Sequence, residues 1–144
     1  MPPANDIARL FVGSWSLVSW ILTKPDGNTE YPFGEDAVGW IMYTEDRRMA
    51  AHLMRRRRAL LKSERLREST PDERAAAYLD HFSYCGTYSV QADAQTVTHH
   101  VDVSSSPNWV GSDRARTFVL SGDSLTLLAP LADGSQNRLV WKRH

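Results

Sequence analysis

Apolar and polar residues alternate in short runs along most of this chain. Turn-forming residues interrupt the runs at intervals of roughly 8 to 15 residues, the spacing expected of an all-β barrel or sandwich. Ser14 to Thr23, rich in Trp, Val, Leu and Ile, ends at Lys24-Pro25-Asp26-Gly27, where proline presets one dihedral and glycine tolerates positive φ. Val38 to Thr44 and Arg48 to Met54 flank Glu45-Asp46-Arg47 and read as a hairpin. Phe82 to Gln91 turns through Ala92-Asp93-Ala94-Gln95 and returns along Thr96 to Ser104. Ala115 to Leu120, Ser124 to Ala129 and Asn137 to Arg143 follow, separated by Gly122-Asp123 and Asp133-Gly134. Ser105 to Gly111 reads as a loop or a single helical turn, and Ile7 to Phe11 as a short helical plug. Thr70-Pro71-Asp72-Glu73 has the form of an N-cap, a proline at the first helical position and acids in the first turn. A helix from about Pro71 to His81 is therefore expected. The pattern predicts one domain over residues 1–144: an all-β, antiparallel, up-and-down barrel of about eight strands, with one short helical insertion between strands 3 and 4.

Length and charge narrow the partners. A chain of 144 residues buries roughly 68% of its unfolded surface, enough for a core. Lys plus Arg and Asp plus Glu number 17 each, so there is no long-range field to gather polyanions or acidic membranes. Nucleic acid is not an expected partner. No run approaches the ~20 apolar residues of a membrane-spanning helix, and the start lacks the form of a secretory signal. The single cysteine, Cys85, fits a reducing compartment or a fold that needs no disulfide, and a cytoplasmic location without membrane attachment is expected. Monomer and dimer both remain open.

Several segments resemble the bacterial and fungal lipocalin-like domain proteins, relatives of the calycin barrels. They are Val12-Gly13-Ser14-Trp15-Ser16-Leu17-Val18-Ser19-Trp20, Tyr31-Pro32-Phe33-Gly34, Gly39 to Tyr43, Thr98-His99-His100-Val101, Pro107-Asn108-Trp109-Val110-Gly111 and Arg138-Leu139-Val140-Trp141. The resemblance covers almost the whole chain, and the His-His-Val with the following Pro-Asn-Trp-Val-Gly is its most specific part. It implies an eight-stranded barrel whose lumen takes a small, mostly apolar molecule, and a setting in secondary metabolism. It does not imply one reaction, since related barrels include both carriers and cofactor-free enzymes. The Arg55 to Arg58 run departs from the family pattern, and Trp40 and His52 have no role that the resemblance supplies; both are kept as candidate ligand-binding residues.

Alternate residues of a strand share a face, so Val97, His99, Val101 and Val103 point one way and Thr98, His100, Asp102 and Ser104 the other. The apolar set is expected to face the lumen, with His99 inside and His100 near Asp102 outside unless a bulge shifts the register. On the preceding strand, Phe82, Tyr84, Gly86, Tyr88 and Val90 share a face, so His99 could meet Tyr84 and Tyr88 across the hairpin. Two readings of these three residues stand side by side. They are a core histidine with satisfied tyrosines, or catalytic acid–base groups, because histidine exchanges a proton near neutrality. His100, Asn108 and Trp109 join Trp40 and His52 as candidate ligand-binding residues, the last two of the loop as a lid over a barrel mouth. Periodicity does not place His52 or Arg116.

Adjacent histidines on one strand point apart and no third ligand follows at a telling spacing, so no metal site is expected. No phosphate-binding glycine motif or nucleophile elbow is present, so no nucleotide cofactor and no serine hydrolase chemistry are expected. Trp15 and Trp141 look like end-closing tryptophans with Arg138 or Arg143 stacked on them. Arg55 to Arg58, with Lys62, Arg65 and Arg67, reads as a solvated surface or a phosphate-binding cluster. Function therefore divides between binding of a small apolar molecule in the lumen and a cofactor-free isomerase, cyclase or dehydratase. A protein-interaction module built on the basic segment is a weaker third reading.

Overall fold

The computed structural model describes residues 4–144. Nine strands form one antiparallel sheet: β1 (Gly13–Thr23), β2 (Thr29–Glu30), β3 (Val38–Tyr43), β4 (Arg48–Met54), β5 (His81–Gln91), β6 (Thr96–Ser104), β7 (Asp113–Ser121), β8 (Ser124–Pro130) and β9 (Gln136–Arg143). After β2 and β1 the order follows the chain, and β9 pairs back onto β1. Eight long strands thus close an up-and-down barrel without a free edge. The two-residue β2 only extends the far end of β1, at Leu22 and Thr23. Closure depends on the length of β1: Gly13 to Ser16 pairs with β3, while Trp15 to Thr23 pairs with β9.

Two helices lie outside the sheet. The helix α1 (Ala4–Arg9) precedes β1, and α2 (Pro71–Leu79) lies between β4 and β5, the third and fourth of the long strands. Thr70 caps α2: its hydroxyl accepts from the Glu73 amide at 3.2 Å while the Glu73 carboxylate accepts from the Thr70 amide at 3.0 Å. α2 stops at Leu79, with Asp80 as its cap, so that His81 can start β5.

One end of the barrel is sealed by its own side chains. Phe11, just after α1, is fully buried and meets Tyr43 and Phe118 edge-on at centroid distances of 5.2 and 4.9 Å. The Trp15 indole donates to the Phe11 carbonyl at 2.9 Å, and the Arg143 guanidinium lies 4.1 Å over the Trp15 ring. Arg143 also donates to the carbonyl of Val12 at 2.7 Å and to that of Leu10. The expected stacking on Trp15 therefore comes from Arg143, and it pins the plug to the last strand.

The inward pattern on β6 departs from strict alternation at one point. Val97, His99 and Val101 are buried, but Val103 is 62% exposed. In the register, Gly86 pairs with Val101 and Cys85 with Val103, so Asp102 is an extra residue and the strand bulges there. Every side chain beyond the bulge changes face, which turns out Val103, placed inside by sequence periodicity. Gly86 permits this close approach, since a Cβ there would lie 1.9 Å from the His100 carbonyl oxygen. The bulge follows His99, so the histidine keeps its inward position. No helix of the described residues is long and apolar enough to cross a membrane.

Candidate functional site

The lumen is divided. Towards α1 it is filled by Phe11, Trp15, Tyr43, Tyr88, Val97, Phe118 and Leu125. Towards the opposite end, among the loops leaving β1, β4, β6 and β8, it opens into a cavity of about 290 Å³. Strand alternation supplies its walls: Ile41 from β3, Ala51 and Leu53 from β4, Phe82 and Tyr84 from β5, Leu127 and Ala129 from β8, Leu139 and Trp141 from β9. Trp20 and Trp109 stand at its rim. Trp109 packs edge-on against Phe82 at 4.7 Å and tilted against Tyr84 at 5.1 Å, while Trp20 meets Phe33 edge-on at 4.9 Å. Alanines at 51 and 129 leave the space that larger residues would fill.

His99 lies behind this wall and is fully buried. Its Nε2 is 2.7 Å from the Tyr43 hydroxyl and its Nδ1 is 2.8 Å from the Tyr84 hydroxyl. Burial, assisted by the positive charge of Arg116 and by His100, lowers its pKa to about 3, so the ring is neutral at physiological pH. A neutral imidazole donates through one nitrogen and accepts through the other. Tyr43 is buried and has no other hydrogen-bond partner among the described residues, so one ring nitrogen is committed to it and the other to Tyr84. Tyr84 also lies beside the Arg116 guanidinium and is the member of the trio that lines the cavity. Burial raises the pKa of both phenols, so both remain protonated.

The structure separates the residues that sequence reasoning grouped. Tyr84 and His99 come together as expected, but the second tyrosine on the imidazole is Tyr43 of β3. Tyr88 faces inward yet donates to the Thr44 carbonyl at 2.9 Å in the sealed half, although its backbone is paired with that of His99. Among the expected ligand-binding residues, Trp109 lines the cavity. Trp40, His52 and His100 sit on the outer wall, because the inward places in their strands go to Ile41, Ala51 with Leu53, and His99 with Val101. Trp40 is 42% exposed and packs tilted against His144 at 4.8 Å, and His52 meets His81, with 3.3 Å between their ring nitrogens. His100 pairs with Asp113 of β7 at 2.7 Å and with Ser89 at 2.9 Å, in place of the expected Asp102, which the bulge carries away. Asn108 is exposed in the single turn Pro107–Trp109.

Sequence reasoning misses inward Arg114 and leaves Arg116 unplaced. Arg114 and Arg116 alternate with exposed residues on β7 and line the cavity. Arg114 lies 3.9 Å over the Trp109 ring, and Arg116 5.7 Å from the same ring. The alternation of Arg114 and Arg116 with Asp113, Ala115 and Thr117 was the available signal, but an inward arginine runs against the apolar pattern used to find the lumen. The basic run at Arg55 to Arg58 ties the mouth together. Arg55 pairs with Asp80 at 2.9 Å and donates to the Pro32 carbonyl at 3.1 Å, Arg56 donates to the Asp36 carbonyl at 3.1 Å, and Arg58 donates to the Ala77 carbonyl of α2 at 2.9 Å. No cluster of three or more metal-ligating side chains is found among the described residues.

A family model agrees with this architecture. The family described as Lipocalin-like domain matches residues 12–144. The 4'-hydroxy-3'-methoxypropiophenone carrier protein of Aspergillus oryzae is 31% identical over 106 residues, which span 66% of this chain and 96% of that protein. Among solved structures, a lipocalin-like protein from Bacteroides uniformis superposes with a TM-score of 0.48 at 13% identity, covering 94% of this chain and 99% of the other. A designed fluorescence-activating β-barrel superposes with a TM-score of 0.47 at 14% identity, covering 96% and 98%.

Proposed function

Because the chain belongs to the lipocalin-like domain family, with a fungal carrier protein among its relatives, we propose that it carries a small, mostly apolar aromatic molecule, an intermediate of secondary metabolism. The observation that carries this reading is the 290 Å³ cavity at one end of the barrel, walled by aromatic and aliphatic side chains. Small-molecule sites commonly measure about 300–1,000 Å³, are mostly apolar and hold a few placed polar groups. A cavity at the low end of that range suits a single substituted ring. The aryl ketone named for the fungal relative has that size and character.

Carriage is favoured over acid–base catalysis by His99. That imidazole stands behind Tyr84, is not part of the cavity wall, and with a pKa of about 3 takes up no proton near neutrality. Its part is to hold the Tyr84 hydroxyl in place.

The reading is tested by filling the cavity. Ala129 is buried and lines it, so Ala129→Trp places an indole where the guest would sit. Titration with 4'-hydroxy-3'-methoxypropiophenone, followed by quenching of Trp20, Trp109 and Trp141, is expected to saturate in the native protein. In Ala129→Trp the affinity is expected to fall about 100-fold or more while circular dichroism keeps the barrel signature. Equal binding by both proteins, or no saturable binding by the native one, would overturn the proposal.

A further inference from the structure

The polar groups of the cavity are of one kind. Its lining includes Arg114, Arg116, Tyr84, Asn137 and Trp141, and no aspartate, glutamate or histidine. A guanidinium offers five N–H donors and accepts nothing. Arg114 spends one on the Ser112 hydroxyl at 3.0 Å and Arg116 one on the Ala115 carbonyl at 3.1 Å, and neither forms an ion pair among the described residues. The Tyr84 hydroxyl, 2.8 Å from His99 Nδ1, stays protonated and stands beside the Arg116 guanidinium at the cavity wall. The Asn137 carbonyl oxygen accepts from the Trp20 indole at 2.8 Å, so the amide hydrogens are what that residue has left to offer. The Trp141 indole N–H is buried without a partner. Two positive charges and several donors thus surround a small apolar space that holds no protein acceptor charge.

We propose that the carried molecule presents an ionised oxygen, a phenolate, enolate or carboxylate, to Arg114, Arg116 and Tyr84, with its ring held among Phe82, Trp109 and Leu139. The arrangement explains why both arginines are turned inward on β7. Like charges on neighbouring positions of one strand face repel, and an anion between them removes the repulsion and completes charge-assisted hydrogen bonds. Stacking on Trp109 fixes the Arg114 guanidinium plane and keeps it from swinging out to solvent. This inference rests on the carriage reading and adds the chemical class of the guest.

The test separates the two. The probes are 4-nitrophenol, whose phenolate is coloured, and 4-nitroanisole, a neutral molecule of nearly the same shape. The native protein is expected to bind the phenolate at least about tenfold more tightly than the phenol, seen as a fall of about one unit or more in the pKa of bound 4-nitrophenol. The arginines stay charged and Tyr84 stays protonated across the range where the probe titrates, so the shift belongs to the probe. Arg114→Gln and Arg116→Gln are expected to lose about tenfold of that preference while retaining 4-nitroanisole. Should bound 4-nitrophenol keep or raise its pKa while 4-nitroanisole still binds, the anionic guest is wrong and carriage stands. If neither probe enters the native protein, both readings fall.

Discussion

Acidification from neutrality towards pH 3 is expected to remove about 4–5 kcal/mol of stability through His99 alone. The imidazole has a pKa near 6.5 in the unfolded chain and about 3 in the barrel, because burial penalises the cation. Between those values the unfolded chain binds a proton that the folded one refuses. The stability is therefore complete above 6.5 and declines as the pH falls, at a slope of about 1.4 kcal/mol per pH unit, until the folded form also protonates. Denaturant midpoints measured between pH 6.5 and 5 isolate the effect, since most carboxylates titrate below that window. His81, whose pKa is also lowered, works in the same direction but is only partly buried and contributes less. The check is His99→Gln, which is expected to lower stability at neutrality and to flatten the slope in this window. An unchanged slope would show that the histidine is hydrated or charged in the native protein.

Phe11→Ala is expected to cost about 3–5 kcal/mol, the range for truncating a fully buried aromatic. The ring is surrounded by Tyr43, Tyr88 and Phe118, which belong to three different strands and cannot all close over the space. The loss would also open the sealed end and create a second hollow beside Tyr43. Urea unfolding should show a lowered midpoint with an unchanged slope, and a shift worth less than about 1 kcal/mol would mean that the plug does not seal the core.

Much of the barrel was legible because its walls obey a period of two and its turns use residues with defined backbone preferences. Thr70 with Glu73 marked a helix, and Pro25-Asp26-Gly27 marked a reversal, for reasons that act within four residues. His99 was placed inside for the same reason. What eluded the sequence depends on distant strands. Tyr43 reaches the imidazole only because β3 and β6 face each other across the lumen, which no local pattern encodes. The extra residue at Asp102 turns Val103 outward, since a bulge changes face without changing composition, and His100 meets Asp113 because the two lie opposite each other in the β6–β7 register. Trp40 and His52, expected to bind the ligand, occupy the outward half of their strands' alternation. Arg114 and Arg116 escape the pattern because a charged lumen contradicts the rule that otherwise finds one, and such local violations are where functional sites are to be sought.

The open half of the barrel as the guest site is tested most directly by intermolecular nuclear Overhauser effects between 4'-hydroxy-3'-methoxypropiophenone and the isotope-labelled protein. The methoxy and ethyl protons should report Phe82, Trp109 and Leu139, with no contacts to Phe11 or Phe118 in the sealed half. Contacts confined to Trp40, His52 or Val103 on the outer wall would contradict it.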